Sequence, residues 1–368
     1  MTHDYDILII GAGLTGATIA RLTKDAGYEP LVVERRPYPG GNIRDIFDPE
    51  THITYCLHGP HYFRTNNNTI VDFIKRFATW KPYYPVVKSY VLGKNFPWPL
   101  SESFLKQTYS DFYTNNTNNT NHNKSTPKTF DDICRLRFPT EAYELFIKPY
   151  TEKQWGKSVT ELLPSLANRI PINPNNNTNF SQHKYQLLPV EGYSFFIDEL
   201  LEDINVEYNF TVTHSWCSVV RNKPIVITAP IDEFFDVKFG KLPYRAQQRN
   251  LYKATMLDTT PQINFPNPCV PAIRNINWGA LSNKNIYDET LLTDEVPFTP
   301  SDFENCEYPV PVQSAHNLYN TYHAYASEFP NYFFVGRLGE YRYLDMDQAI
   351  ARAFTKFTNN LLPVLKGN

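Results

Sequence analysis

The chain opens on an unbroken apolar run, Ile7–Ile10, and a second, Pro30–Val33, follows one helix-length later. Neither run alternates with polar residues, which predicts strands buried on both faces, as in a parallel sheet. Between them, Ala17–Ala26 carries Ile19, Ala20, Leu22 and Thr23 at helical spacing, and Gly27 closes that helix. Further along, Ile70–Phe77 reads as a helix, and Tyr83–Trp98 as two short strands around Gly93, ended by Pro97 and Pro99. Ser101 to about Leu166 is largely helical in pattern. Tyr185–Pro189 then precedes a helix over Ser194–Leu201. Val206–Val212 and Pro224–Thr228 alternate like strands, and Leu251–Ile286 reads as several strands with loops. Near the end a buried strand, Tyr332–Val335, passes through a glycine-punctuated loop into a helix over Gln348–Leu362. Two asparagine-rich tracts, Thr114–Lys124 and Asn173–Asn179, lack core-forming residues; both are expected to be loops, the first a mobile one. No period recurs along the chain.

The first unit carries chemistry. Gly11, Gly13 and Gly16 form G-x-G-x-x-G between a strand and a helix, and Glu34 ends the second strand, as a dinucleotide site requires. Gly11 makes the tight turn, Gly13 lets the backbone approach a pyrophosphate, and Gly16 lets helix and strand pack closely. The helix N-terminus faces the phosphates. Glu34 can accept hydrogen bonds from a ribose diol. The pair Gly40-Gly41 offers another close backbone approach just downstream, which tilts the expected nucleotide from NAD towards FAD.

Bulk properties narrow the partners. A length of 368 residues suits two or three domains, or one with large insertions. A net charge of −3, with no strongly basic half, argues against nucleic acid and for a small molecule. Aromatics make up 15%, which suits either a pocket that stacks planar rings or simply an aromatic-rich core. Five cysteines stand far apart with no C-x-x-C pair, against a zinc site or a disulfide framework and for a reducing compartment. The N-terminus runs straight into a strand and no apolar run approaches the ~20 residues of a membrane helix. A soluble, cytoplasmic protein without a metal is expected.

Seven segments, taken in order, resemble the UDP-galactopyranose mutase family: GAGLTGA, ERRPYPGGN, HGPHYF, KPYTEKQWG, RIPIN, LPVEGY and FVGRLGEYRYLDMDQAI. They span almost the whole chain, and the last block and KQWG (Lys153–Gly156) are the most specific. The resemblance implies an α/β fold: a Rossmann-like FAD-binding domain (1–78, 190–235 and 312–368), an inserted helical uridine-binding domain (100–170) and a mainly antiparallel β-sheet domain (79–99, 171–189 and 236–311). It implies an isomerase that interconverts UDP-galactopyranose and UDP-galactofuranose with no net oxidation. In that chemistry N5 of reduced FAD attacks the anomeric carbon as UDP leaves, and a flavin–sugar iminium lets the ring open and reclose. NADPH or NADH would be the external reductant. A homo-oligomer, such as a dimer, is expected.

Residue by residue, the resemblance places Gly11, Gly13, Gly16 and Glu34 on the ADP part of FAD, and Gly40, Gly41 and Asn42 along its pyrophosphate and flavin. Gly59, Pro60 and His61 match a mobile histidine loop beside the flavin ring. Tyr150, Thr151 and Trp155 match the uridine site, and Phe146, about one turn earlier on the same helix, can share that face. Arg274, Tyr308 and Tyr343 match groups on the diphosphate, Arg337 would touch the flavin region, and Asp345 and Met346 would sit near FAD where the last helix begins. His61, Arg274, Arg337, Tyr308 and Tyr343 are thus the candidate catalytic set.

The departures cluster around the sugar nucleotide. Asn173 stands where the family has a second diphosphate arginine, with Arg169 or Arg64 as candidate substitutes. Arg64 replaces a common histidine, and Ala272 a tyrosine. These changes keep open another sugar (an N-acetylhexosamine, a 6-deoxyhexose or a pentose), or a binder that has lost its chemistry. A flavin amine oxidase or desaturase shares the N-terminal unit and is the rival from another reaction class.

Overall fold

The two apolar runs lie side by side as parallel strands, Ile9 opposite Val32. The computed structural model, which describes residues 4–117, 126–217, 223–282 and 284–367, extends them into a five-stranded parallel sheet. Its order is Asn205–Glu207, Pro30–Val33, Ile7–Ile10, Ile225–Ile227 and Tyr332–Phe334. Every residue of the three central strands is buried. Their alternate side chains feed two separate cores. Ile7, Ile9, Val32 and Val226 pack with Ile19, Phe196 and Ile350, whereas Leu8, Ile10, Leu31 and Ile227 pack with Phe234 and Tyr322. The helices Leu14–Asp25, Tyr193–Leu200 and Met346–Lys356 cover the first face.

A second, seven-stranded sheet runs Tyr308–Pro309, Tyr244–Thr255, Glu289–Phe298, Arg274–Asn277, Gln262–Asn264, Val87–Val91 and Lys94–Pro97. All its pairings are antiparallel except that of Gln262–Asn264 with Val87–Val91. A three-stranded sheet, Phe63–Thr65, Tyr185–Pro189 and Trp80–Pro82, lies apart from it. The inserted helical region contributes Phe130–Arg137 and a continuous helix from Thr140 to Trp155, interrupted by a π-helical turn at Tyr143–Ile147. The fold is therefore mixed α/β, with a Rossmann-like unit, a helical insertion and a mainly antiparallel sheet.

Local differences from the sequence pattern have physical causes. Val206–Val212 stops being a strand at Glu207, because Asn209 turns into the left-handed region at φ +59°. The strand expected from Leu251 starts at Tyr244, where four buried residues precede the exposed stretch. Helix Ser110–Thr117 takes in the first residues of the Thr114–Lys124 tract, and the rest of that tract lies outside the described residues. Among the described residues, no helix is long and apolar enough to cross a membrane.

Candidate active site

The C-terminal ends of the parallel strands open into a cleft of about 1210 Å³. Ile10 and Gly11, Val33 and Glu34, Thr228, and Gly336 line it, the position where open α/β sheets bind ligands. Gly11 adopts φ +103°, and a Cβ there would lie 2.2 Å from Thr228 Oγ1. Gly13 pairs with Gly40, and a Cβ on Gly41 would lie 3.0 Å from Gly13 Cα, so two glycine backbones form the cleft floor. Glu34 is buried. Its Oε2 accepts from Ala12 N at 2.8 Å and its Oε1 from Arg36 N at 2.9 Å. Each carboxylate oxygen has a second lone pair, so a ribose diol can still be held. Asn42, His61, Arg337 and Met346 also face this cleft. Gly16 stands behind it, holding the helix against the first strand. Gly59 stands outside it, at φ +86°, with its missing Cβ over Glu295 and Arg274.

A second cavity, about 840 Å³, lies against the helical insertion. Phe146, Tyr150, Thr151 and Trp155 line it together, and Trp98 and Phe130 line it as well. The π-helical turn at Tyr143–Ile147 contributes Phe146 and Ile147 to this face, a distortion that often marks functional sites. Lys153, on the same helix, points away and donates to the carbonyls of Phe265, Asn267, Val270 and Ala272 at 2.6, 2.7, 2.8 and 3.2 Å. It thereby ties the helix to the segment that leads into Arg274. Burial pushes the Lys153 amine down to about 8, with Cys269 nearby acting in the opposite direction.

Between these two lies a third chamber of about 790 Å³. It shares His61, Arg337 and Met346 with the first cleft and Arg169, Arg274, Tyr308 and Tyr343 with the second. Tyr308 and Tyr343 stack at 5.9 Å and 7°, Trp155 meets Tyr308 edge-on, and Arg337 lies 4.6 Å from the Tyr343 centroid. Arg337 is aimed by Leu344 O, which accepts from Nη2 at 2.8 Å. Burial works against the Arg274 guanidinium, but Glu295, fully buried and bonded to its Nε, outweighs that and keeps it charged. Glu295 lies opposite both Arg249 and Arg274 on the flanking strands. Burial, then Arg337, pushes His61 down to about 3, so its ring is neutral, and its Nδ1 has no partner among the described residues. Burial lifts Tyr308 to about 12 and also raises Tyr150, so both keep their hydroxyl protons.

Asn173 does not join this constellation. Its backbone pairs with Leu100 and Glu102, its Nδ2 donates to Asn179 O at 2.8 Å, and its Oδ1 accepts from Gln182. A 1% exposed side chain occupied in this way cannot reach a ligand. The charge missing at that position is present elsewhere, since Arg169 and Arg64 both line the chamber and flank Asp345 at 3.4 and 3.5 Å. Asp345 faces the chamber rather than the dinucleotide cleft, held ionised by these arginines against the pull of burial. His58, Tyr62, Phe180 and Gln262 also line the chamber without having been assigned a role from sequence.

A family model described as UDP-galactopyranose mutase matches residues 145–343, and one described as NAD(P)-binding Rossmann-like domain matches residues 9–77. The chain belongs to the UDP-galactopyranose mutase family. The probable UDP-galactopyranose mutase of Klebsiella pneumoniae is 30% identical over 95% of this chain and 93% of its own length. The dTDP-fucopyranose mutase of Escherichia coli is 27% identical over 94% of this chain and 96% of its own. Among solved structures, a reduced UDP-galactopyranose mutase superposes with a TM-score of 0.78 at 16% identity, covering 98% of this chain and 99% of that one. A putrescine oxidase superposes at 0.61 and 10% identity over 97% and 99%. Family membership makes the protein an isomerase of the pyranose–furanose mutase type, while the two named relatives differ in the nucleotide sugar they act on.

Proposed function

We propose that the protein interconverts UDP-galactopyranose and UDP-galactofuranose, in the cytoplasm, with FAD as a cofactor that is active when reduced by NADPH or NADH. The chamber between the two clefts carries this reading. A sugar lying there has the cofactor side, with Arg337 and Met346, at one end and the nucleotide side, with Arg274, Tyr308 and Tyr343, at the other. The glycine floor at Gly13 and Gly41 fits a pyrophosphate, the free lone pairs of Glu34 fit a ribose, and Gly40 and Asn42 border the path between them. Reduced flavin would supply a nucleophile for the anomeric carbon.

The remaining work falls to this chain. Trp155, Tyr150 and Phe146 offer faces for a uracil ring, and Thr151 a hydroxyl. Arg274 neutralises the diphosphate from its anchor on Glu295, and Tyr308 and Tyr343 donate hydroxyl protons to phosphate oxygens. Arg169 supplies the second positive charge once the diphosphate competes with Asp345 for it. Arg337 and neutral His61 border the reacting end, where closing out water strengthens every charge interaction. A homo-oligomeric assembly belongs to the same proposal.

A dTDP-6-deoxyhexose is the second reading, because the dTDP-fucopyranose mutase matches nearly as well as the UDP-galactopyranose mutase does. Incubating the dithionite-reduced, FAD-loaded protein with UDP-galactopyranose and dTDP-fucopyranose separates the two. Furanose product from the UDP sugar is the expected outcome; turnover of the dTDP sugar alone would overturn the substrate assignment.

A further inference from the structure

His58 and Glu307 form a pair without a part in the reading above. His58 sits in the turn just before Gly59, and Glu307 lies 249 residues later, beside Tyr308. His58 Nδ1 is 3.2 Å from Glu307 Oε1. The Glu307 side chain is 5% exposed and is gripped by Arg249, whose Nη1 donates to the same Oε1 at 2.6 Å and whose Nη2 donates to Oε2 at 2.8 Å. A carboxylate only accepts, so the neutral imidazole carries its proton on Nδ1 and keeps a lone pair on Nε2. Base and orienting carboxylate are thus arranged as in activated catalytic pairs. The His58 side chain is 17% exposed and lines the middle chamber with His61, Arg274 and Tyr308.

Pyranose–furanose interconversion needs such a group. In the pyranose the ring closes through O5, and in the furanose through O4. Over the whole reaction the C1–O5 and O4–H bonds break and the C1–O4 and O5–H bonds form. One proton moves from O4 to O5, and no atom or electron is gained or lost. A positioned acid–base group that accepts at one oxygen and donates at the other contributes roughly 100- to 10,000-fold to such a step.

Of the two chamber histidines, His58 suits that task. His61 has no partner to fix its tautomer, and at about 3 its ring is too weak a base. Burial also lowers His58, and Arg36 and Arg249 add to that, but Glu307 pulls the other way; across the chamber stand neutral His61, the cations Arg64, Arg169, Arg274 and Arg337, the hydroxyls of Tyr62, Tyr308 and Tyr343, and Asp345. Resting on the mutase reading, we propose that His58, oriented by Glu307, carries the proton between O4 and O5 of the sugar.

The test is His58→Gln in the reduced, FAD-loaded protein. The amide can still donate to Glu307 but cannot carry a proton. The kcat should fall by about 100-fold or more, with KM within about threefold of the parent and FAD content and UDP affinity unchanged. The acidic limb of the kcat–pH profile should disappear with it. Independently of activity, ¹⁵N NMR of the histidine rings in the parent at pH 7 should show His58 protonated at Nδ1 and bare at Nε2. A kcat within threefold of the parent, a loss that follows FAD content or UDP affinity, or an Nε2–H tautomer would overturn the assignment. Should His58→Gln fail to fold, His58→Asn and the NMR tautomer decide in the same way. A parent that turns over no nucleotide sugar would instead defeat the mutase reading.

Discussion

Arg169 lies with its guanidinium 3.5 Å from the Tyr343 centroid and its Nη2 3.4 Å from Asp345, at the junction of two cavities. Four residues on, Asn173, where the resemblance leads one to expect a diphosphate contact, turns its amide into its own loop. Motif spacing gives a residue's place along the chain, not the direction of its side chain, so Asn173 looked like a ligand group in the sequence and Arg169 only like a substitute. The opposite assignments follow from the geometry. Arg169→Ala should weaken UDP binding roughly 10- to 150-fold, the ~1.5–3 kcal/mol of a charge-assisted hydrogen bond, as measured by titration calorimetry. Asn173→Ala should leave UDP affinity within about twofold and cost ~1–3 kcal/mol in a urea unfolding series, because buried partners lose their bonds. Equal effects of both on affinity would refute this division. Tyr150 and Trp155 were named from KPYTEKQWG and Phe146 from its place about a turn earlier, whereas Glu295 was not named: an acid on a strand that also carries Glu289 and Asp294, it is 0% exposed and acquires meaning only from the two arginines across from it.

At the scale of elements, the strands and helices of the Rossmann-like unit were legible because burial on both faces leaves unbroken apolar runs and the glycines carry spacing. A Cβ on Gly16 would lie 1.9 Å from Gly11 O. Gly16→Ala must therefore push helix Leu14–Asp25 off the first strand, and the purified variant should lack flavin absorbance and melt several degrees lower. Retention of full FAD occupancy would contradict the packing role. The mixed sheet was less legible, since its register, not its composition, decides which charges meet. Lys153 makes the same point, because nothing in KQWG says that its amine spans four carbonyls more than a hundred residues away. Lys153→Met removes the amine from all four carbonyls at the foot of Arg274 and, among the described residues, leaves only Asn267 O with its backbone bond from Val270 N. Loss of UDP affinity along with stability is expected, and a variant that binds UDP as the parent does would show the tether to be irrelevant to the site.

Across the whole molecule, one chain of a hydrogen bond and ion pairs joins distant segments: neutral His58 to Glu307, Glu307 to Arg249, Arg249 to Glu295, and Glu295 to Arg274. It links the histidine turn to the mixed sheet and so to Arg274, the proposed diphosphate contact. Burial alone would raise the Glu307 carboxyl, but Arg249 and His58 outweigh burial and hold it at about 2. A depressed carboxyl stabilises the fold above its unfolded value near 4.5 and loses that contribution as pH falls towards 2. Between pH 5 and pH 3 the parent should therefore lose roughly 2 kcal/mol more stability than Glu307→Gln, read from urea midpoints at each pH. Identical acid slopes would mean the chain contributes nothing. The order of motifs along the sequence foretold which segments surround the cleft, but not this wiring, whose partners sit on different strands and loops. Its purpose in the proposed reaction is to keep charges fixed while a neutral sugar isomerises between them. The most direct test is anaerobic incubation of the FAD-loaded protein with UDP-galactopyranose, followed by mass and NMR analysis of the product. An isomer of unchanged mass with a furanose ring is expected, formed only when the flavin is reduced and without consuming that reduction. A product of altered mass, or sugar turnover matched one for one by a change in flavin redox state, would contradict a mutase.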